Sequence, residues 1–199
     1  MKGVIRTRAG FAGGQDEKPT YRSIGDHTET LQVDYDPEVV SYGQLLEAFW
    51  DAHEPCKKSS SRQYRSLILT HNAIQKEQAQ ASLKAQEEKK GRKVNTEIED
   101  FTSFAYAEYY HQKFSLRRHP ILLKDMQGLY HEAKDLADST VAMRLNSFCA
   151  GYGTLKDLEA EIDEFELSEA AHAYLLQRIG PQLDSRAPGR IKSLGGMID

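Results

Sequence analysis

Alternation is strictest between Glu29 and Tyr35: Glu29, Leu31, Val33 and Tyr35 fall on one side, and Thr30, Gln32 and Asp34 on the other. A period of two marks a strand whose faces meet different surroundings, and Asp36-Pro37 closes it. Upstream, Val4-Ile5-Arg6-Thr7-Arg8-Ala9 favours a strand until Gly10-Phe11-Ala12-Gly13-Gly14 bends the chain. The period becomes helical after Ser41, a suitable N-cap, with Tyr42, Leu45, Leu46, Phe49, Trp50 and His53 in one stripe that Pro55 ends. A Lys- and Ser-rich loop, Lys57 to Arg62, leads into Tyr64 to Thr70, which reads as a strand. Residues 73–91 are rich in Gln, Glu, Ala and Lys and predict a solvated helix ending at Gly91. A short strand is expected over 94–98 and an aromatic-rich helix over Phe104 to Phe114. Beyond Pro120 the pattern is helical to about residue 180, with Leu155, Leu158, Ile162 and Phe165 at helical spacing. Ser168 is expected to cap a last helix that Gly180 ends. The organisation is therefore α+β over residues 1–119, a helical extension over 120–183, and a flexible tail over 184–199.

Composition narrows the function. With 39% hydrophobic and 28% charged residues, the 199-residue chain has the make-up of a soluble globular protein. A net charge of -4 gives no reason to expect nucleic acid or an anionic membrane as partner, and no apolar run is long enough to cross a bilayer. The first residues do not read as a secretory signal, so a cytoplasmic location is the default. Two cysteines, Cys56 and Cys149, make neither a disulfide framework nor a zinc spacing, and each reads first as a small buried hydrophobe.

Glu29 is the chemically informative residue of the alternating strand. It points the way Leu31, Val33 and Tyr35 point, so its carboxylate loses hydration and the protonated acid is favoured, as a general acid requires. The alternative is an edge residue that swings into solvent. Tyr21, in a loop after the glycine-rich bend, and Tyr64, after the flexible loop, each offer an apolar wall and a hydroxyl donor. That pair suits a small polar ligand bearing methyl groups.

These pieces together resemble the methionine sulfoxide reductase A family. Gly10-Phe11-Ala12-Gly13-Gly14 is similar to its G-[YF]-x-G-G turn, Pro19-Thr20-Tyr21 to P-T-Y, and Gly25-Asp26-His27-Thr28-Glu29 to G-H-x-E with Asp26 added. Tyr35-Asp36-Pro37 matches Y-D-P, Phe49-Trp50 with His53-Glu54-Pro55 resembles F-W-x-x-H-[DE]-P, and Gln63-Tyr64-Arg65-Ser66 matches Q-Y-R-S. Thr96-Glu97-Ile98 and Ala107-Glu108-Tyr109-Tyr110-His111-Gln112 resemble T-E-I and A-E-x-Y-H-Q. The order and spacing agree over residues 3 to about 119, and residues 144–153 are similar to animal members with a helical extension.

The resemblance implies a two-layer α/β sandwich of ferredoxin-like type, here lacking its first strand and helix, with an α-helical C-terminal extension. It implies reduction of methionine-S-sulfoxide in peptides and proteins, a repair reaction under oxidative stress. A cysteine thiolate attacks the sulfur while Glu29, Tyr21 and Tyr64 bind and protonate the oxygen. No bound cofactor or metal is implied, but an external thiol is, namely thioredoxin or dithiothreitol. The family's G-C-F-W-G, which carries the nucleophile, belongs ahead of Gly3, and this sequence does not hold it. The aspartate that the family keeps shortly before Q-Y-R-S is also replaced, with Ser59 to Arg62 standing there. We therefore expect an N-terminally truncated reductase. The alternatives are a non-catalytic module that binds sulfoxide, and a relocated nucleophile at Cys56.

Overall fold

The computed structural model describes residues 1–184. Its central strand is β1 (Val4–Ala12), paired antiparallel on one edge with β2 (Thr28–Tyr35) and on the other with β5 (Phe104–Tyr106). A second, two-stranded sheet pairs β3 (Leu67–Thr70) parallel with β4 (Glu97–Asp100). The crossover between them is α2 (Ala73–Lys90), because parallel neighbours require a return path of this length.

Local chemistry accounts for the helix ends here. α1 (Tyr42–Asp51) starts in a capping box, in which the Ser41 hydroxyl accepts from the Gln44 N–H and the Gln44 amide reaches back to the Ser41 N–H. Asn72 caps α2, and Gly91 ends it at φ +64°, a left-handed turn that glycine adopts without a Cβ clash. The apolar stripe of α1 is buried through Leu46 and Trp50 against Ile68, Ala79 and Val94, and the Trp50 indole N–H donates to the Ser82 hydroxyl at 2.6 Å. His53 follows α1 and ties its end to β3. One ring nitrogen donates to the Phe49 carbonyl at 2.9 Å, and the other meets the Ser66 hydroxyl at 2.7 Å. Burial lowers the pKa of His53, which favours the neutral ring that this pattern needs.

The C-terminal half is a helical layer: α3 (Phe114–Arg117), α4 (Pro120–Leu129), α5 (Ala133–Asp138), α6 (Thr140–Cys149), α7 (Leu155–Glu161), α8 (Glu169–Tyr174) and α9 (Gly180–Asp184). Leu116, Leu122, Met126, Leu145, Phe148 and Leu158 form its core. The layer docks on β1 through charge. The Arg8 guanidinium is buried and bonded to Asp138 at the end of α5, to Asp34 at 3.0 Å and to the Gln32 amide oxygen at 3.0 Å. Tyr106 of β5 also donates to Asp138, at 3.0 Å. Burial penalises the charge on Arg8 and on Asp138. The hydrogen bonds outweigh it, so the pKa of Arg8 is raised and that of Asp138 lowered.

Five expectations need correcting. The face of β2 carrying Leu31 and Val33 is not closed over: Leu31 is 51% exposed, whereas the polar face bearing Gln32 and Asp34 meets Arg8 and the helical layer. Residues 104–114 are not a helix but β5, a short 3₁₀ turn (Tyr109–His111) and the start of α3. β5 forms because Gly10 leaves room for the Phe104 ring; a Cβ on Gly10 would lie 2.2 Å from it. Tyr64 precedes β3, which begins only at Leu67. The strand expected over 94–98 begins at Glu97, because Val94 is fixed in the core and its N–H is held by Glu87 at 3.1 Å. Gly180 does not end the last helix; a π turn (Leu175–Ile179) carries the chain into α9 as Gly180 closes on Leu155. The expected flexible tail falls, but for Asp184, outside the described residues.

If Arg8–Asp138 fastens the two layers, Asp138→Ala leaves a buried guanidinium short of a partner and should cost about 3 kcal/mol, read as a lower urea midpoint. The double variant Arg8→Met with Asp138→Leu should recover most of that loss. Equal midpoints for Asp138→Ala and the unaltered chain would contradict it.

Candidate functional site

The end of β1 builds the site. Gly13 turns the chain at φ +72°, and a Cβ on Gly14 would fall 2.3 Å from the Asp26 carboxylate, so the turn requires glycine at both places. Asp26 accepts the Gln15 and Asp16 N–H groups, and these backbone bonds hold its carboxyl below the usual range. Two arginines then pin the neighbouring loops. Arg62 donates to the carbonyls of Asp26, at 2.5 Å, and Gly13, at 3.1 Å. Arg65 donates to the Thr28 hydroxyl at 2.8 Å and pairs with Glu97 and Glu99, each at 2.5 Å.

This stitching brings Glu29 and Tyr64 together. The Glu29 N–H donates to the Gln63 carbonyl at 2.9 Å, and the Gln63 side-chain amide donates to the Glu29 carboxylate at 2.7 Å. Tyr64 is next in sequence, and its hydroxyl lies 3.5 Å from that of Tyr21. The hydrogen bond with Tyr21 is the largest of the effects that push the Tyr64 phenol up to about 12, followed by some loss of hydration and the nearby charges of Glu29 and Tyr21, with a hydrogen bond from Gln63 opposing them. Tyr64 therefore keeps its proton at neutral pH and can donate it to an oxygen.

Tyr21 is fixed from the other side. Its N–H donates to the Glu108 carboxylate at 3.0 Å, and its ring rests on the His111 ring with centroids 4.8 Å apart. The buried Oε2 of Glu108 and Nε2 of His111 stand 3.9 Å apart and have no hydrogen-bond partner among the described residues. The structure thus brings Tyr21, Glu29 and Tyr64 into one group on the surface. Gln63, Glu108 and His111 belong to it as well. Their motifs were visible in the sequence, but only the fold shows that Gln63 holds the carboxylate and that Glu108 and His111 hold Tyr21.

The two thiols lie elsewhere. Cys56 packs against the Leu46, Trp50, Ile68 cluster, and its carbonyl accepts from Asn95 at 2.6 Å. Cys149 packs in the helical layer, where burial pushes its thiol up to about 12. A cleft of about 210 Å³ opens beside the glycine turn, but it is lined by Asp26, Arg62, Glu99, Asp100 and Thr102 and not by the tyrosines. Among the described residues no group of three His, Cys, Asp or Glu side chains converges as a metal site, and no helix is long and apolar enough to cross a membrane.

Residues 1–140 match the family model described as peptide methionine sulfoxide reductase, and residues 128–172 match the helical domain of selenoprotein methionine sulfoxide reductase A. The chain is 43% identical over 180 residues to a peptide methionine sulfoxide reductase of Drosophila melanogaster, covering 87% of this chain and 70% of that protein. It is 38% identical over 173 residues to peptide methionine sulfoxide reductase A5 of Oryza sativa, covering 82% of this chain and 67% of the relative. Among solved structures it is similar to Mxr1 of Saccharomyces cerevisiae in reduced form, with TM-score 0.55 and 28% identity over 59% of this chain and 73% of the other. Methionine sulfoxide reductase A of Corynebacterium diphtheriae aligns with TM-score 0.51 and 31% identity over 60% of this chain and 66% of the other.

The thiols supply a check. Brief alkylation of the native protein with iodoacetamide at pH 8 should leave Cys149 unmodified, since a thiol titrating near 12 holds almost no thiolate there. Peptide mass mapping that finds Cys149 labelled as fast as in urea would show the helical layer to be open.

Proposed function

The chain belongs to the peptide methionine sulfoxide reductase family, and we propose that Tyr21, Glu29 and Tyr64 form its sulfoxide-oxygen site, acting on methionine-S-sulfoxide in peptides and proteins. The observation that carries this reading is the convergence of two phenol hydroxyls, 3.5 Å apart, beside a carboxyl group held by Gln63. A sulfoxide oxygen carries partial negative charge and accepts hydrogen bonds. Two phenols supply them, and the Glu29 carboxyl beside them is the group through which a proton can reach the oxygen as the S–O bond breaks.

Reduction also needs an electron pair, which neither glutamate nor tyrosine can provide. In the family's reaction a cysteine thiolate supplies it. The sulfur is reduced to the sulfide, the cysteine is oxidised to a sulfenic acid, and a second thiol releases water and leaves a disulfide. On this reading the electron pair comes from the cysteine of the family's G-C-F-W-G motif, which residues 1–199 do not hold, with thioredoxin as the final reductant. Cytoplasmic repair of oxidised protein is the matching role. The rival reading is a binding module without turnover. It is favoured by the placement of Cys56 and Cys149 in apolar packing, and by the high pKa of Cys149.

Residues 1–199 by themselves should reduce a methionine-S-sulfoxide peptide with dithiothreitol only at background rate. Joining a segment with G-C-F-W-G ahead of Gly3 should start turnover, and Glu29→Gln should then cut kcat by roughly 10²-fold or more. Fast turnover by residues 1–199 that Cys56→Ser abolishes would make Cys56 the nucleophile instead. Sulfoxide binding without turnover in the joined protein would favour the binding module.

A further inference from the structure

The oxygen site does not end at Tyr21. Its ring rests on His111, the His111 ring rests on Tyr110 with centroids 4.3 Å apart, and Tyr110 meets Tyr109 edge-on at 5.9 Å. The Arg117 guanidinium lies 5.2 Å over the Tyr109 ring and closes the row. Tyr64, Tyr110 and Tyr109 are 51%, 45% and 62% exposed. Exposed tyrosines linked through His111, whose own side chain is 16% exposed, are unusual on a protein surface.

The row is also held rigid. Tyr109, Tyr110 and His111 form a 3₁₀ turn, whose three residues per turn fan successive side chains apart. The turn cannot slide, because the buried Gln112 side chain exchanges hydrogen bonds with Ala9 of β1, accepting its N–H at 3.0 Å and donating to its carbonyl at 2.7 Å. Lys113 then leaves the turn at φ +52° and donates to the Thr7 carbonyl at 2.6 Å and the Ala137 carbonyl at 2.7 Å. A backbone anchored in this way presents its rings from a fixed position, so less ordering remains to be lost when a ligand binds.

We infer that the row Tyr21–His111–Tyr110–Tyr109–Arg117 is the track on which the chain flanking the oxidised methionine lies. It selects extended segments with an aromatic side chain near the sulfoxide and an acidic residue beyond it. The inference rests on the oxygen site proposed above, with which the track is continuous. An extended peptide advances about 3.3 Å per residue, so it passes one ring-to-ring step every one or two residues. An aromatic side chain stacks or packs edge-on against Tyr110 and Tyr109, and a carboxylate meets the Arg117 guanidinium at the end of the row. A folded helix or sheet does not offer its chain in this form, so the track favours unfolded or locally opened substrates.

The test is a nuclear magnetic resonance titration of residues 1–199 with three probes. These are N-acetyl-methionine-S-sulfoxide methylamide and two hexapeptides with the same sulfoxide, one carrying Phe and Asp on its N-terminal side and the other on its C-terminal side. One hexapeptide should bind about five- to tenfold more tightly than the short compound and shift the Tyr109 and Tyr110 amides. Tyr109→Ser, an exposed change, should remove most of that gain and leave the short compound's affinity unaltered. No gain from either hexapeptide, or a gain that survives Tyr109→Ser, overturns the track. A hexapeptide that binds through Tyr109 while the short sulfoxide does not bind overturns the oxygen site and leaves the track standing.

Discussion

A guanidinium buried on the face of a central strand must be neutralised, because an unpaired charge out of water costs several kcal/mol. Arg8 meets that requirement from three directions, through Asp138 on the helical layer and through Asp34 and Gln32 on the neighbouring strand. The partners come from two separate parts of the sequence, β2 and the end of α5, so satisfying one side chain fixes β1, β2 and α5 relative to one another. Tyr106 bonds to the same Asp138 and adds β5. With β1 held on both edges and one face, the turn at its end has a fixed position from which the site can be built.

From that turn outward, precision comes from arginines and backbone carbonyls. Arg62 and Arg65 each reach the Gly13 carbonyl, which ties the glycine turn to the loop that delivers Tyr64. The carbonyls they hold would otherwise face water in mobile loops. On the opposite side, Glu108 and His111 hold Tyr21 while Gln112 anchors their turn to β1. Both tyrosines are thus presented by loops, yet neither loop is free to drift. A hydrogen-bonding site for a small oxygen needs this, since misplacing a donor by even 1 Å forfeits most of its effect. The same bonds connect the proposed oxygen site to the aromatic row, so on that reading positioning of the sulfoxide and contact with its flanking chain would belong to one surface.

Much of this was legible in residue order alone. The capped helices α1 and α2, the alternating strand β2 and the glycine turn follow from short-range rules: a Ser or Asn side chain bonding its own helix, a period of two, a residue without Cβ. Tyr21, Glu29 and Tyr64 stood out because their residue types suit an oxygen ligand, and their motifs pointed to the family. Other features depended on partners distant in sequence. Residues 104–106 have the pattern of a helix and became a strand because Gly10 opens the edge of β1 to Phe104. The polar face of β2 became the covered one because Arg8 draws the helical layer to it, and Leu31 was left half exposed. Tyr64 stands beside Tyr21, outside the strand that its own pattern suggested, because the bonds of Gln63 and Arg65 on either side of it fix the loop there. Periodicity and capping act over a few residues and can be read from order. Ion pairing and close approach across the fold act over distances that only the tertiary structure brings within reach.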